Sequence, residues 1–199
     1  MRNRGIVAVF CVLALATLVP GCGCRKKASE TVANKIAEKA IEHAAKKNGE
    51  NLDVKIDGDK VSVQGKTADN KSVSYTAQNG SFSMTQGGVK MTSGEGATLP
   101  EGFPKDVPVY AGSKITMAMA DNDQHSYSVA GETKDALQTV ADKSKKDLLA
   151  NGWKEQQSLN QAGDNPMVML NYTKDERAVM FTIHAENGTT AFSIVVSKQ

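Results

Sequence analysis

The stretch MVMLNYTKDERAVMFTIHAENGTTAFSIVVSK, residues 167–198, decides the fold. Apolar residues recur at every second position through Met167–Thr173, Ala178–Glu186 and Thr190–Lys198, the period of a strand with one buried face. Lys174–Glu176 and Asn187-Gly188 separate the three runs as turns. One set of alternate residues is the more apolar: Val168, Leu170 and Tyr172, then Val179, Phe181 and Ile183, then Phe192, Ile194 and Val196. That set should face a core, which puts Met167, Met169, Met180 and His184 on the opposite face.

Upstream, Leu137, Val140, Ala141, Ser144 and Leu148 recur at helical spacing. Thr133 is the expected cap of this helix, and Gly152 is placed to end it after Asn151. Before it, Lys114–Ala120 and Gln124–Gly131 read as strands around an Asp121-Asn122-Asp123 turn. Three or four strands follow the helix, so the order is ββαβββ, or ββαββββ with the fourth, an α+β domain over 109–199 with one helix across one face of an antiparallel sheet. Residues 94–108 carry Pro100, Pro104 and Pro108 and read as an extended Pro/Gly linker. Residues 52–93 alternate around Asp57-Gly58 and Asn79-Gly80 and read as a small β-meander. Residues 29–48 read as an amphipathic helix capped by Ser29, with Ala33, Ile36, Ala37, Ala40, Ile41 and Ala44 as its docking stripe.

The first 21 residues have the form of an export signal. Arg2 and Arg4 precede an apolar run from Gly5 to Val19, which is shorter than the roughly 20 residues of a spanning helix. The run ends Leu18-Val19-Pro20-Gly21-Cys22, which resembles a bacterial lipobox. The resemblance implies that Cys22 becomes the first mature residue and carries lipid, that 22–28 is a lipidated tether, and that Cys24 is a poorer second candidate. Gly23 in the next position is not the Asp of an inner-membrane retention signal, which implies the outer membrane in a diderm host. Arg25, Lys26 and Lys27 in the tether favour anionic headgroups. The segment from Leu99 to Lys114 (LPEGFPKDVPVYAGSK), with Asn151-Gly152-Trp153 after the helix, resembles a small domain recurrent in bacterial lipoproteins. The layout is also similar to helix-grip domains of envelope assembly lipoproteins. Neither resemblance brings a catalytic residue with it.

Composition narrows the function classes. The chain has 199 residues, 40% hydrophobic and 23% charged, which is too apolar for a disordered chain and too short for a (β/α)8 barrel of about 250 residues. Its net charge of +2 comes from Arg2 and Arg4. The body is neutral, so nothing calls for nucleic acid. Arg25 and Arg177 are the only arginines after the leader, a weak argument against phosphate or carboxylate readers. Cys11 goes with the leader, which leaves no cysteine set for a disulfide, zinc or an iron–sulfur cluster.

Catalytic motifs are missing too. His43, His125 and His184 stand without a G-x-S-x-G or a phosphate-binding glycine loop. Asp121-Asn-Asp123-Gln-His125 begins like a calcium loop, with Glu132 at the twelfth position. Ser126 stands where that loop needs glycine, so a hairpin turn is expected. Met167, Met169, Met180 and His184 form a thioether–imidazole set suited to Cu(I); packing of a second surface by adaptable methionines is the simpler expectation.

The sequence therefore leads to a lipid-anchored envelope protein, a non-enzymatic binding or assembly module without a cofactor. Its expected partners are membrane lipid, through the acyl anchor, and an envelope protein. A periplasmic Cu(I)-binding protein is the alternative. An enzyme would need a deep pocket pairing His125 or His184 with a carboxylate.

Overall fold

The computed structural model describes residues 27–199. Cys22, Cys24, the leader and most of the tether lie outside the described residues. The chain divides into two compact units, with the boundary between Gly87 and Gly88. Among the described residues, both are built from antiparallel strands with one helix each, so the α+β class stands.

The N-terminal unit contains α1 (Lys27–Lys47) and four strands: β1 (Asn51–Asp57), β2 (Lys60–Lys66), β3 (Ser72–Gln78) and β4 (Ser81–Gln86). Each strand pairs with the next in an antiparallel meander. Asn79 and Gly80 both have positive φ between paired Gln78 and Ser81, the two-residue turn that matches strand twist. The core is small: Ala45, Leu52, Val54, Val63 and Val73, with Ile41, Ile56, Val61 and Tyr75 against it. Gly65, opposite Leu52 and Val73, has φ +152°, and a Cβ there would lie 2.0 Å from the Asn51 carbonyl oxygen. No other residue fits that approach.

The seating of α1 differs from the sequence expectation. Ile36, Ala33, Ala40 and Ala44 are exposed, whereas Asn34, Glu38, Ile41, Glu42 and Ala45 turn inward. The helix is rotated by about a quarter turn from its apolar stripe. The cause is the edge of β1. Glu38 Oε1 accepts the Ile56 N–H at 2.7 Å, Glu42 Oε1 accepts the Val54 N–H at 3.2 Å, and Asn34 Nδ2 donates to the Ile56 carbonyl at 3.4 Å. Four helical residues rise about 6 Å and two strand residues about 6.8 Å, so carboxylates at i and i+4 meet successive outward N–H groups of the strand. Unpaired edge groups attract foreign strands, and here side chains occupy them. Ser29, the expected cap, lies within the helix, which begins at Lys27.

The C-terminal unit contains β5 (Val89–Ser93), β6 (Lys114–Asp121), β7 (Ser126–Thr133), α2 (Leu137–Ala150), β8 (Lys154–Gln161), β9 (Met167–Lys174), β10 (Arg177–Glu186) and β11 (Thr189–Lys198). Its sheet runs β5-β6-β7-β11-β10-β9-β8, all antiparallel. The order is βββαββββ, so a fourth strand does follow the helix and one more precedes the expected pair. Five-residue β5 belongs here rather than with the meander. Strand β8 (KEQQSLNQ) is exposed at every position and carries no alternation to read.

Residues 94–108 also belong to this unit. Val107 is buried in its core, and Phe103, Val109 and Tyr110 pack against it, so the expected linker is part of the domain. The rest of the core is the apolar face of β9, β10 and β11 under Val140, Ala141, Leu148 and Trp153. Thr133 ends β7 instead of capping α2, whose N-cap is Ala136 without a side-chain bond. The other end follows the sequence. Gly152 has φ +83°, its N–H reaches the Leu149 carbonyl, and the Trp153 N–H reaches that of Leu148. This is a Schellman termination, and it brings Trp153 back onto the core.

Candidate functional site

Trp153 leads to the most strongly organised polar cluster. Its ring is buried, and its Nε1 donates to the Asp106 carbonyl oxygen at 2.8 Å. The Asp106 carboxylate accepts both arms of Arg177, at 3.0 and 2.7 Å, and Lys174 Nζ at 2.8 Å. Asn151 Nδ2 donates to the same Asp106 carbonyl, and Lys174 Nζ also reaches the Asn151 carbonyl. The Arg177 guanidinium lies 5.1 Å from the Trp153 ring centroid, within cation–π range. Hydrogen bonds from Arg177 above all, then from Lys174, hold the Asp106 carboxyl well below the usual carboxylate range against the opposing effect of burial. The cluster clamps the 94–108 segment to the turn after α2 and to the β9–β10 turn. Both guanidinium arms are committed to Asp106.

Beside it lies an open groove of about 660 Å³ rather than an enclosed cavity. Pro104, Tyr127 and Val196 supply apolar lining, and His125, Asp175, Glu176, Arg177 and Lys198 supply polar lining. Lys198 is 3.3 Å from Glu176, so its charge is partnered within the groove. His125 shares the groove with two carboxylates, but in the open groove and not in the deep pocket that an acid–base site favours. His125 has φ +49° at the tip of the β6–β7 hairpin, where Asp121 Oδ1 accepts the N–H groups of Asp123 and Gln124. The calcium-like run is thus a self-bonded turn, as the sequence suggests. Among the described residues, no three His, Cys, Asp or Glu side chains converge as a metal set.

The methionines fall as the face assignment requires. Val168, Leu170, Tyr172, Val179, Phe181, Ile183, Phe192, Ile194 and Val196 are all buried. Met167, Met169, Met180 and His184 occupy the alternate positions, away from α2. Met167 is directly opposite His184 and Met169 opposite Thr182, while Met180 faces Asn171 and is 38% exposed. Strand β8 adds Gln161 opposite Met167 and Leu159 opposite Met169. On β6, Met117 and Met119 pair with Ala130 and Ser128, and on β5 Met91 pairs with Met119. This face is a broad field of thioethers, small hydroxyls and alanines. His184 also lies 3.6 Å from Glu186.

A further polar contact ties α2 to the sheet. The Tyr172 hydroxyl donates to Glu155 Oε2 at 3.0 Å, and Lys145 Nζ lies 2.9 Å from the same oxygen. Hydrogen bonds from Lys145, Ser158 and Tyr172 lower the Glu155 carboxyl to about 2. Burial first, then the Glu155 bond, raises the Tyr172 phenol to about 12. The sequence reading did not single out Asp106, Lys174 or Glu155. The signal available was Arg177, the lone arginine among the described residues, which needed an anionic partner.

No family model and no curated protein matches the chain. Among solved structures it is similar to the solution structure of the cyanobacterial PsbP protein, CyanoP, from Synechocystis sp. PCC 6803. The identity is 11%, over 60% of this chain and 74% of that one, and the TM-score is 0.35. No helix among the described residues is long and apolar enough to cross a membrane.

Proposed function

We propose that the protein is a lipid-anchored lipoprotein of the bacterial envelope whose folded units form a non-enzymatic binding or assembly module. The observation that carries the reading is Leu18-Val19-Pro20-Gly21-Cys22 behind a charged and apolar leader, with Cys22 as the acylated residue. In a diderm host the anchor lies in the outer membrane and the units face the periplasm. The outward face of the C-terminal sheet supports the binding role, since Leu159 and Met180 are exposed there and its other methionines are half-buried. A helix-grip-like use of the β7, α2 and β9–β11 core belongs to the same proposal.

The test is acylation and capture in cells. Mass analysis of the N-terminal peptide should show acyl groups on Cys22, lost in Cys22→Ser and kept in Cys24→Ser. Crosslinking should then join a defined envelope protein to the native chain and fail after Leu159→Glu or Met180→Glu on the open face. An unacylated Cys22 overturns the anchor, and capture indifferent to both substitutions overturns the binding face.

Cu(I) binding is a second reading, favoured by the register that sets Met167 against His184 with Met169 and Met180 on the same face. Thioether and imidazole are soft ligands suited to that ion. Titration of the purified protein with Cu(I) should then give sub-micromolar binding that weakens in Met167→Leu and in Met169→Leu. Affinity weaker than micromolar, or unchanged in those variants, eliminates copper.

A further inference from the structure

We infer that the outward face of α1 rests on an anionic lipid surface. The inference builds on the anchor proposed at Cys22 but stands on the geometry of the helix. Val32 and Ile36 are the two most exposed large hydrophobic side chains among the described residues, at 58% and 67%. They are one helical turn apart, and both lie about half a turn round the axis from Ile41 and Ala45, which seat the helix on β1. They are thus aimed away from the N-terminal unit's own core.

Charge is sorted in the same sense. Glu38 and Glu42 are turned to the strand, where they accept the Ile56 and Val54 N–H groups. Lys35, Lys39, Lys46 and Lys47 are exposed; Lys39 reaches across to Glu42 at 2.7 Å and is still 78% exposed. The edge strand takes up Glu38 and Glu42, and the outer surface keeps apolar side chains flanked by lysines. This is the pattern of a helix lying in a headgroup layer. A second copy of the chain would bring lysines against lysines, whereas anionic headgroups complement them. Sequence position agrees: Val32 is ten residues beyond Cys22, with Arg25, Lys26 and Lys27 between them.

Tryptophan quenching tests the contact in the full chain. Trp153 is buried and out of reach of lipid, so the emission added by Ile36→Trp reports on position 36. The protein is isolated from bacterial membranes and returned to vesicles whose acyl chains carry bromine. With brominated phosphatidylglycerol, roughly half of the added emission should be lost. With brominated phosphatidylcholine, or after Lys35→Gln with Lys39→Gln, the loss should be about threefold smaller. Asp59→Trp, in the β1–β2 turn, should be unquenched throughout.

Position 36 behaving like position 59 in phosphatidylglycerol overturns the inference. So does equal quenching in both lipids, because the lysines would then contribute nothing. The mass of the Cys22 peptide from the same preparation judges the anchor separately. Acylation without quenching overturns only the helix contact, and quenching without acylation overturns only the anchor.

Discussion

Replacing Asp106 by Asn removes one negative charge and little else, because the backbone carbonyl that holds Trp153 and Asn151 is unchanged. Three charge-assisted bonds reach the native carboxylate: two from Arg177 and one from Lys174. Such bonds contribute about 1.5–3 kcal/mol each when dry. Here the side chains are about a quarter to a third exposed, at 25% for Asp106, 28% for Lys174 and 31% for Arg177, and solvent screening lowers that contribution. The amide oxygen also still accepts one of the bonds. The net loss should be about 2 kcal/mol near neutral pH. At about 4 °C per kcal/mol for a unit of this size, the midpoint falls by about 8 °C.

The pH dependence has a definite sign. The folded carboxyl lies below its unfolded value, so its stabilisation is complete above the unfolded pKa and is lost as pH falls towards the folded one. The gap between native and Asp106→Asn should therefore hold at pH 6–7 and narrow below about pH 4. Calorimetry at neutral and acid pH measures both quantities. A midpoint difference under about 2 °C at neutral pH, or one unchanged down to about pH 3, would refute the account of the clamp.

Three further outcomes are expected. Gly131→Ala should destabilise the C-terminal unit by about 2 kcal/mol in denaturant titration, since the new Cβ would sit 2.6 Å from Phe192 Cζ and 2.9 Å from the Lys114 carbonyl oxygen. Spectroscopic titration should find one tyrosine ionising at about 12, absent in Tyr172→Phe and lowered in Glu155→Gln; because its folded pKa is raised, its contribution is complete below the ordinary phenol value and is lost as pH rises through about 12. In Glu38→Ala with Glu42→Ala, hydrogen exchange at Ile56 and Val54 should quicken by about tenfold while the amides of β9–β11 stay unchanged, because local opening at the β1 edge is what the carboxylates suppress.

Periodicity shows in a sequence where one face is uniformly apolar, as in residues 167–198, and those strands and their inward residues follow the pattern closely. It vanishes where both faces are wet, as in β8, and in a strand as short as β5. The docking face of α1 was hidden for a different reason. Its contacts are hydrogen bonds from Asn34, Glu38 and Glu42 to a strand edge, and apolar patterning has no sign for a carboxylate that faces inward. Prolines made residues 94–108 look like a spacer, while Val107 enters the core and Asp106 bonds partners 45 to 71 positions away, beyond any local signal. The methionine face was legible through strand alternation alone, because the better apolar set had to be buried. The groove was not, since Pro104, Tyr127, Arg177 and Lys198 come together only through tertiary contact.

The coupling of α1 to β1 has a mechanical consequence. As residue number rises along the helix it falls along the strand, so tension applied at the N-terminus runs parallel to β1. The bonds from Asn34, Glu38 and Glu42 then share the load in shear instead of peeling apart one after another. A pull along the chain from its N-terminal side therefore loads these bonds together.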